Sequence, residues 1–113
     1  LKNDHRITVS THTGVRMIDT DKIIYCKAIG NYTQLFIMGA QGEVEKTSTI
    51  ISKSLKHVIE KINHDAFLRC HQSYLINMKY TIGLKNYKHI KLSTDTLVPV
   101  SRRRLKEIKT QLK

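Results

Sequence analysis

The sequence has little cysteine, proline and glycine, and it has no long apolar run. Its 113 residues include two cysteines, one proline, five glycines and no tryptophan. Cys26 and Cys70 have no metal-like spacing and are too few for a disulfide framework, so we expect buried or partly buried free thiols. No segment approaches the ~20 apolar residues that cross a bilayer, and the start of the chain lacks the apolar core of a signal peptide. These absences predict a soluble, cytoplasmic protein.

Negative charge is also scarce. Nine Asp and Glu residues oppose 20 Lys and Arg residues, which gives a net charge of +11, and six histidines add to it below neutral pH. Such an excess favours a polyanionic partner. Nucleic acid, an anionic membrane and an acidic protein would each satisfy it, and a basic protein that is simply soluble is a further alternative. Composition alone does not choose among them.

The length and composition indicate one folded domain. A chain of 113 residues, 40% hydrophobic and 26% charged, can bury one core but not two. The chain does not begin with Met, which suggests a fragment of a longer protein. We expect residues 1–6 to be the remnant of an N-terminal linker and residues 7–113 to form the domain.

Short runs of β-forming residues, separated by turn residues, predict a mainly β fold with short connections. Gly30 with Asn31, and later Asn86, interrupt such runs in the manner of hairpin turns. The only proline lies in the last run, where it suits an edge strand. The predicted strands span residues 6–10, 14–18, 22–28, 32–38, 43–47, 67–74, 80–84, 89–92 and 97–100.

Two helices are predicted between and after these strands. The first has an apolar stripe at helical spacing, with a cap from Thr49 or Ser52 and lysines on a solvated face. The second begins after Ser101 as its cap and turns Leu105, Ile108 and Leu112 inward. The stripe of the first helix comprises Ile51, Leu55, Val58, Ile59 and Ile62, and its lysines are Lys53, Lys56 and Lys61.

Catalytic and metal-binding patterns are weak. Cys70 and His71 are neighbours, but adjacent residues of a strand point to opposite faces, so a thiol nucleophile with a histidine base is disfavoured. The histidines have no metal-ligand spacing, and there is neither a phosphate-binding glycine loop nor a pair of carboxylates. We therefore expect no enzymatic activity, no cofactor, no metal and no small-molecule substrate, although a thiol-dependent enzyme stays as a rival hypothesis.

Three segments carry a more specific pattern. Residues 21–32 form an apolar run that ends in Gly-Asn-Tyr, and residues 67–77 read Phe-Leu-Arg-Cys-His-Gln-Ser-Tyr-Leu-Ile-Asn. Residues 98–103 read Val-Pro-Val-Ser-Arg-Arg. In this order, with an amphipathic helix after the first, they resemble the LytTR family of bacterial DNA-binding domains, found mostly at the C-terminal end of response regulators. The middle segment is similar to that family's Phe-x-Arg-x-His-x-Ser-x-x-x-Asn signature.

The resemblance implies an elongated arrangement of small antiparallel β-sheets with two short helices. It also implies that loops, rather than a recognition helix, enter the DNA grooves at residues 30–32, 71–73 and 101–103. Within those loops Arg102 suits a bidentate bond to guanine. Asn31 could bond adenine, and Tyr32 is better suited to a phosphate.

The remaining contacts implied by the resemblance are to the DNA backbone. Donors suited to phosphate oxygens are carried by Gln72, Ser73 and Ser101. Charge at the rim would come from Arg103, Lys27 and Lys88. Gln72 stands where the family often has a basic residue, which puts a charge contact there in doubt.

Structural roles compete with these assignments. Ser101 can be a helix cap alone, and His71 and Asn77 are better explained as structural hydrogen-bonding groups, with Tyr74 in the core. Arg69 either approaches DNA or pairs with an acid, and the sequence leaves both open. Successive helical residues point about 100° apart, so the three arginines from position 102 cannot all face one partner. We expect at most two of them to reach DNA and Arg104 to be solvated.

The sequence thus predicts the effector domain of a bacterial transcriptional regulator in a two-component system. It would bind specific double-stranded DNA through major-groove contacts, as a dimer on paired sites, with an N-terminal receiver domain in the full-length chain. Membrane-anchored arrangements also occur in the family. The alternative is a basic adaptor module that binds an acidic protein or an anionic membrane surface.

Overall fold

A computed structural model of the chain describes residues 5–112. Within them the chain forms ten β-strands in three antiparallel sheets, two α-helices and two short 3-10 helices. The helices are α1 (Leu55–Ile62) and α2 (Arg102–Gln111). The strands are β1 (Arg6–Thr11), β2 (Gly14–Asp19), β3 (Ile23–Ile29), β4 (Tyr32–Ile37), β5 (Thr49–Ile51), β6 (Phe67–His71), β7 (Tyr74–Asn77), β8 (Thr81–Lys85), β9 (His89–Leu92) and β10 (Leu97–Pro99).

A five-stranded sheet in the order β5-β4-β3-β7-β6 separates two hydrophobic cores. Neighbouring residues of a strand point to opposite faces, and in β7 the fully or almost fully buried Leu75 and Ile76 enter different cores. The first core contains α1 and the β1–β2 hairpin. The second contains α2 and the three-stranded sheet β10-β9-β8, with Ile108 of α2 fully buried. The domain is therefore layered on both faces of its central sheet.

The mainly β fold predicted from the sequence is confirmed, with small antiparallel sheets and two short helices. The principal extents are 40 × 30 × 30 Å, so the molecule is longer in one direction. Pro99 lies in β10, an edge strand, where its missing N–H costs no ladder bond. Neither described helix is long and apolar enough to cross a membrane.

The segment between β4 and α1 differs from the prediction. Residues 43–47 form no strand; Val44 makes only an isolated bridge with Met38. The strand lies instead at Thr49–Ile51, where the alternation of buried and exposed residues is that of a strand, and Ile51 pairs with Thr33 of β4. The four-residue spacing from Ile51 to Leu55 suggested that both residues belong to one helix. Pairing with β4, which is distant in the sequence, places Ile51 in a strand instead.

Helix α1 consequently starts later and with another cap. Ser54 is its N-cap, and the Ser54 hydroxyl accepts a hydrogen bond of 3.2 Å from the His57 amide. The prediction of Thr49 or Ser52 as the cap was wrong. The helix ends at Asn63, whose φ of 41° lies in the left-handed region that Asn tolerates. The lysines at 53, 56 and 61 are exposed as expected.

At the N-terminus, the predicted linker of residues 1–6 falls partly outside the described residues. Positions 1–4 are not among them. The carbonyl of His5 accepts a hydrogen bond of 2.6 Å from the Thr20 amide, and Arg6 is the first residue of β1. The domain boundary itself stays a prediction.

Candidate nucleic-acid interface

The predicted DNA-contacting loops are joined by backbone hydrogen bonds around the β6–β7 hairpin. The amide of Ala28, near the end of β3, donates to the carbonyl of Ser73 over 2.8 Å. On the free edge of β6, the amide of Ser101 donates to the carbonyl of Cys70 over 2.9 Å. These two bonds hold the β3–β4 turn and the β10–α2 junction to either side of the hairpin.

The β3–β4 turn consists of Gly30 and Asn31. Its flanking residues Ile29 and Tyr32 are paired across the two strands, and Gly30 has a φ of 58°, as the first position of such a turn requires. Asn31 is exposed, and Tyr32 is 52% exposed. Both predicted contact residues are therefore exposed to solvent at the tip of a hairpin.

The β6–β7 turn consists of Gln72 and Ser73. Its shape is fixed by His71, whose Nδ1 accepts a hydrogen bond of 3.0 Å from the Ser73 amide. Arg69 closes the other side, because its Nη2 donates to the Gln72 carbonyl over 2.6 Å. The Gln72 side chain is exposed and the Ser73 residue is half-buried. His71 thus has the structural role expected for it.

The β10–α2 junction is built on Ser101. Its backbone has the extended geometry of an N-cap, yet its hydroxyl makes no capping hydrogen bond. The Ser101 Oγ is buried and has no hydrogen-bond partner in the part of the chain that the structure describes. The expectation that this serine caps the helix through its side chain was wrong; the Ser101 amide donates to the Cys70 carbonyl, and the hydroxyl does not accept from the first turn of α2.

The three arginines that follow Ser101 point in different directions, as helical geometry requires. Arg102 and Arg103 are exposed. Arg104 is half-buried, and its buried Nε has no hydrogen-bond partner among the described residues, so the expectation of a solvated Arg104 was wrong. The packing of α2 against β6 turns this side chain toward the protein.

Of the two roles that the sequence left open for Arg69, DNA contact or pairing with an acid, the structure does not show the second. Arg69 makes no ion pair within residues 5–112, where the carboxylates with a described bridge are Glu45 and Asp95. Its neighbours are instead cationic: burial, then the charge of Arg104 and then that of Arg103, lower the pKa of the Arg69 guanidinium. Sequence reasoning left Arg69 unassigned and missed its proximity to Arg104.

The two predicted rim lysines lie on opposite sides of this surface. Lys27 is half-buried in the middle of β3, and its Nζ lies 5.9 Å from the ring centroid of Tyr74. Tyr74 is half-buried and packs against the second core. Lys88 is exposed in the β8–β9 turn, and its carbonyl accepts a hydrogen bond of 2.8 Å from the Val100 amide, one residue before Ser101. All nine predicted contact residues therefore belong to segments that are bonded to one another.

The β8–β9 turn contains Tyr87, a residue near α2 that the sequence did not single out. Asn86 and Tyr87 have φ values of 54° and 56°, and a tyrosine rarely adopts such a left-handed conformation. Tyr87 is 65% exposed, and the Nζ of Lys109 from α2 lies 5.2 Å from its ring centroid. The turn was recognisable from Asn86, but its contact with α2 depends on tertiary packing.

The structure offers little chemistry for catalysis at Cys70. The residue is fully buried, and its burial raises the pKa of the thiol to about 12. Burial also raises the pKa of Cys26. The Nδ1 of His71 is already occupied by the Ser73 amide. Within residues 5–112, no group of three or more His, Cys, Asp or Glu side chains could hold a metal ion.

Asn77, the last residue of the signature segment, is a buried structural group. Its Nδ2 donates to the Ile23 carbonyl over 2.9 Å, and its Oδ1 accepts from the Lys79 amide over 3.0 Å. It lies at the opposite end of β7 from the turn at Gln72 and Ser73. The amide therefore links β7 to β3 rather than facing a ligand.

Comparison with known proteins decides the family. The family model described as the LytTr DNA-binding domain matches residues 13–113. The chain belongs to the LytTR family. A comparison with curated protein sequences gives no match.

Among solved structures, this LytTR domain is similar to the LytTr DNA-binding domain of a protein described as a methyl-accepting/DNA response regulator from Bacillus cereus. The TM-score is 0.74 at 19% sequence identity, over 97% of this chain and 98% of that one. At this identity the likeness supports the fold. The family match over nearly the whole chain makes it a DNA-binding domain, as the three sequence segments indicated.

Proposed function

We propose that this LytTR domain binds specific sequences of double-stranded DNA and contacts the major groove with its inter-strand loops. The proposal is carried by one observation: the hydrogen bonds Ala28–Ser73 and Ser101–Cys70 hold the three predicted loops side by side. A rigid set of loops can contact successive grooves together, whereas independently mobile loops would lose conformational entropy at each contact.

Exposure and chemistry support a division of roles among the loops. Arg102 is exposed at the first position of α2, where a guanidinium can bond O6 and N7 of guanine. Asn31, exposed at the β3–β4 turn, can bond N6 and N7 of adenine. The hydroxyls and amides of Gln72, Ser73 and Tyr32 are suited to phosphate oxygens, which fix the orientation of the protein on the duplex.

The wider setting in this proposal is a bacterial transcriptional regulator of a two-component system, located in the cytoplasm. A receiver domain N-terminal to residue 1 would bring two such domains together on paired DNA sites. The resemblance of the fold to a response-regulator domain supports this assignment. An isolated domain would then occupy one half-site and bind it weakly.

The experiment that tests the proposal is a sequence competition. Duplexes enriched from a random library by the isolated domain are compared with scrambled duplexes of equal composition, at about 0.15 M salt. We expect the enriched duplex to bind at least ~10-fold more tightly, since each matched base pair contributes about 1–3 kcal/mol. Equal affinities would refute sequence-specific binding. Equal affinities together with tighter binding to anionic vesicles would favour the adaptor hypothesis.

A further inference from the structure

Three arginines lie near one another at the free edge of β6, where the charges of Arg104 and Arg103 act on the Arg69 guanidinium. Arg69 comes from β6 itself, and Arg103 and Arg104 come from the first turn of α2. The bond from the Ser101 amide to the Cys70 carbonyl fixes the start of α2 beside Arg69. In the part of the chain that the structure describes, none of the three arginines forms an ion pair with a carboxylate.

The same edge carries an excess of hydrogen-bond donors. The Nε atoms of Arg69 and Arg104 and the hydroxyl of Ser101 are buried, and none has a hydrogen-bond partner among residues 5–112. The first backbone amides of α2, those of Arg102 and Arg103, have no intrahelical acceptor because they precede the first full turn. A guanidinium offers donors only and stays protonated in proteins. Among the described residues, this edge therefore has no carboxylate and fewer acceptor atoms than donors.

This arrangement opposes folding unless an anion compensates it. Partly buried like charges repel, and buried donors without acceptors lose the hydrogen bonds that water gave them in the unfolded chain. The effect is visible at Arg69, where burial, followed by the charges of Arg104 and Arg103, lowers the guanidinium pKa. A phosphate group has several acceptor oxygens and a negative charge, and it bonds arginine strongly.

We propose that Arg69, Arg103 and Arg104, with the amides at the start of α2, hold one phosphate group of the DNA backbone beside the β6–β7 turn. This proposal rests on the DNA-binding function proposed above and extends it to Arg69 and Arg104. The cluster positions the domain on the duplex, and Arg102, one helical step away, is left to contact a base. Gln72 contributes to the cluster through its backbone carbonyl, which holds Arg69 in place.

Variants of single arginines test the phosphate assignment on DNA. We expect R69Q and R104Q each to weaken binding to the enriched and the scrambled duplex by the same factor, roughly tenfold. Each should also reduce the slope of log affinity against log salt by about one. K56Q removes one charge from the exposed face of α1 and is the matched control, with slope and affinity unchanged. R103Q, at an exposed position, serves as a second variant should R104Q fail to fold.

A titration with inorganic phosphate tests the cluster without DNA. Phosphate replaces chloride at constant ionic strength while the arginine Nε–Hε signals are followed by NMR. We expect the signals of Arg69 and Arg104 to shift and saturate at millimolar phosphate, and R69Q to abolish the shift of Arg104. Linear, non-saturating shifts would overturn the proposal.

The two proposals fail in distinguishable ways. If the wild type prefers the enriched duplex while R69Q and R104Q bind it as K56Q does, the phosphate cluster is refuted and the proposed function stands. If R69Q weakens only the enriched duplex, Arg69 contacts a base and the assignment is again wrong. If the wild type does not discriminate the duplexes, the proposed function fails, and the phosphate titration still decides whether the cluster is an anion site.

Discussion

Two serines at helix N-caps allow a direct test of how the β10–α2 junction is built. The Ser54 hydroxyl caps α1 with a 3.2 Å hydrogen bond from the His57 amide. The Ser101 hydroxyl, at the equivalent position of α2, is buried and makes no hydrogen bond with any residue from 5 to 112. The same substitution to alanine therefore removes a capping bond in one helix and only an unsatisfied hydroxyl in the other.

The expected magnitudes differ clearly. For S54A we expect the free energy of unfolding to fall by about 1 kcal/mol, the usual effect of losing a serine cap. For S101A we expect no loss, or a gain of a few tenths up to ~1 kcal/mol, because the desolvation penalty of an unpaired hydroxyl disappears. In a domain of this size the difference of about 1–2 kcal/mol corresponds to roughly 4–8 °C in melting temperature.

Urea denaturation followed by circular dichroism measures the free energy of unfolding of S54A and S101A, each relative to the wild type. Equal m-values are required for the comparison, since a changed m-value indicates a change in the exposed surface instead of in stability alone. An S101A variant destabilised as much as S54A would refute the reasoning, because it would show that the Ser101 hydroxyl caps α2 in solution.

Four further predictions concern the interface and the Cys70 thiol. R102A is expected to lose about 1–3 kcal/mol of binding to the enriched duplex and to relax the preference at one base pair, measured by binding to duplexes with single substitutions; equal losses on every duplex would reassign Arg102 to a phosphate. With about six phosphates neutralised, the slope of log affinity against log salt should be near −5, and a flat dependence would contradict backbone-dominated binding. C70S should leave DNA affinity nearly unchanged. The thiol of Cys70, with its pKa raised to about 12, should be alkylated slowly at pH 8 until the domain is unfolded; rapid alkylation of the native domain would contradict this.

Local turn chemistry made much of the fold predictable. Gly30 and Asn31 form a two-residue turn and Asn86 begins a three-residue turn between paired strands, and Pro99 lies in an edge strand. The prediction failed where a local pattern fitted two structures. Ile51 belongs to a helical spacing and also to a strand alternation, and its pairing with Thr33 across the sheet selects the strand. No residue near position 51 in the sequence indicates that Ile51 pairs with Thr33.

The site could be predicted as a set of segments, but its side-chain environment could not. Helical geometry correctly required that the three arginines after Ser101 diverge, yet which one turns inward depends on the packing of α2 against β6. The two roles considered for Arg69 were DNA contact or an acid partner, and the structure places it among other arginines. The cap at Ser101 was inferred from residue type, whereas the hydrogen bond to Cys70 is a long-range contact.

The central claim is that the loops of this LytTR domain contact base edges in the major groove, and base analogues test it most directly. Each guanine of the enriched site is replaced in turn by 7-deazaguanine, which lacks the N7 acceptor, or by inosine, which lacks the minor-groove amino group. We predict that at least one deazaguanine substitution weakens wild-type binding by about 1–3 kcal/mol and has no further effect on R102A, while inosine has none. Full affinity for every deazaguanine duplex, with losses on inosine duplexes, would contradict major-groove recognition.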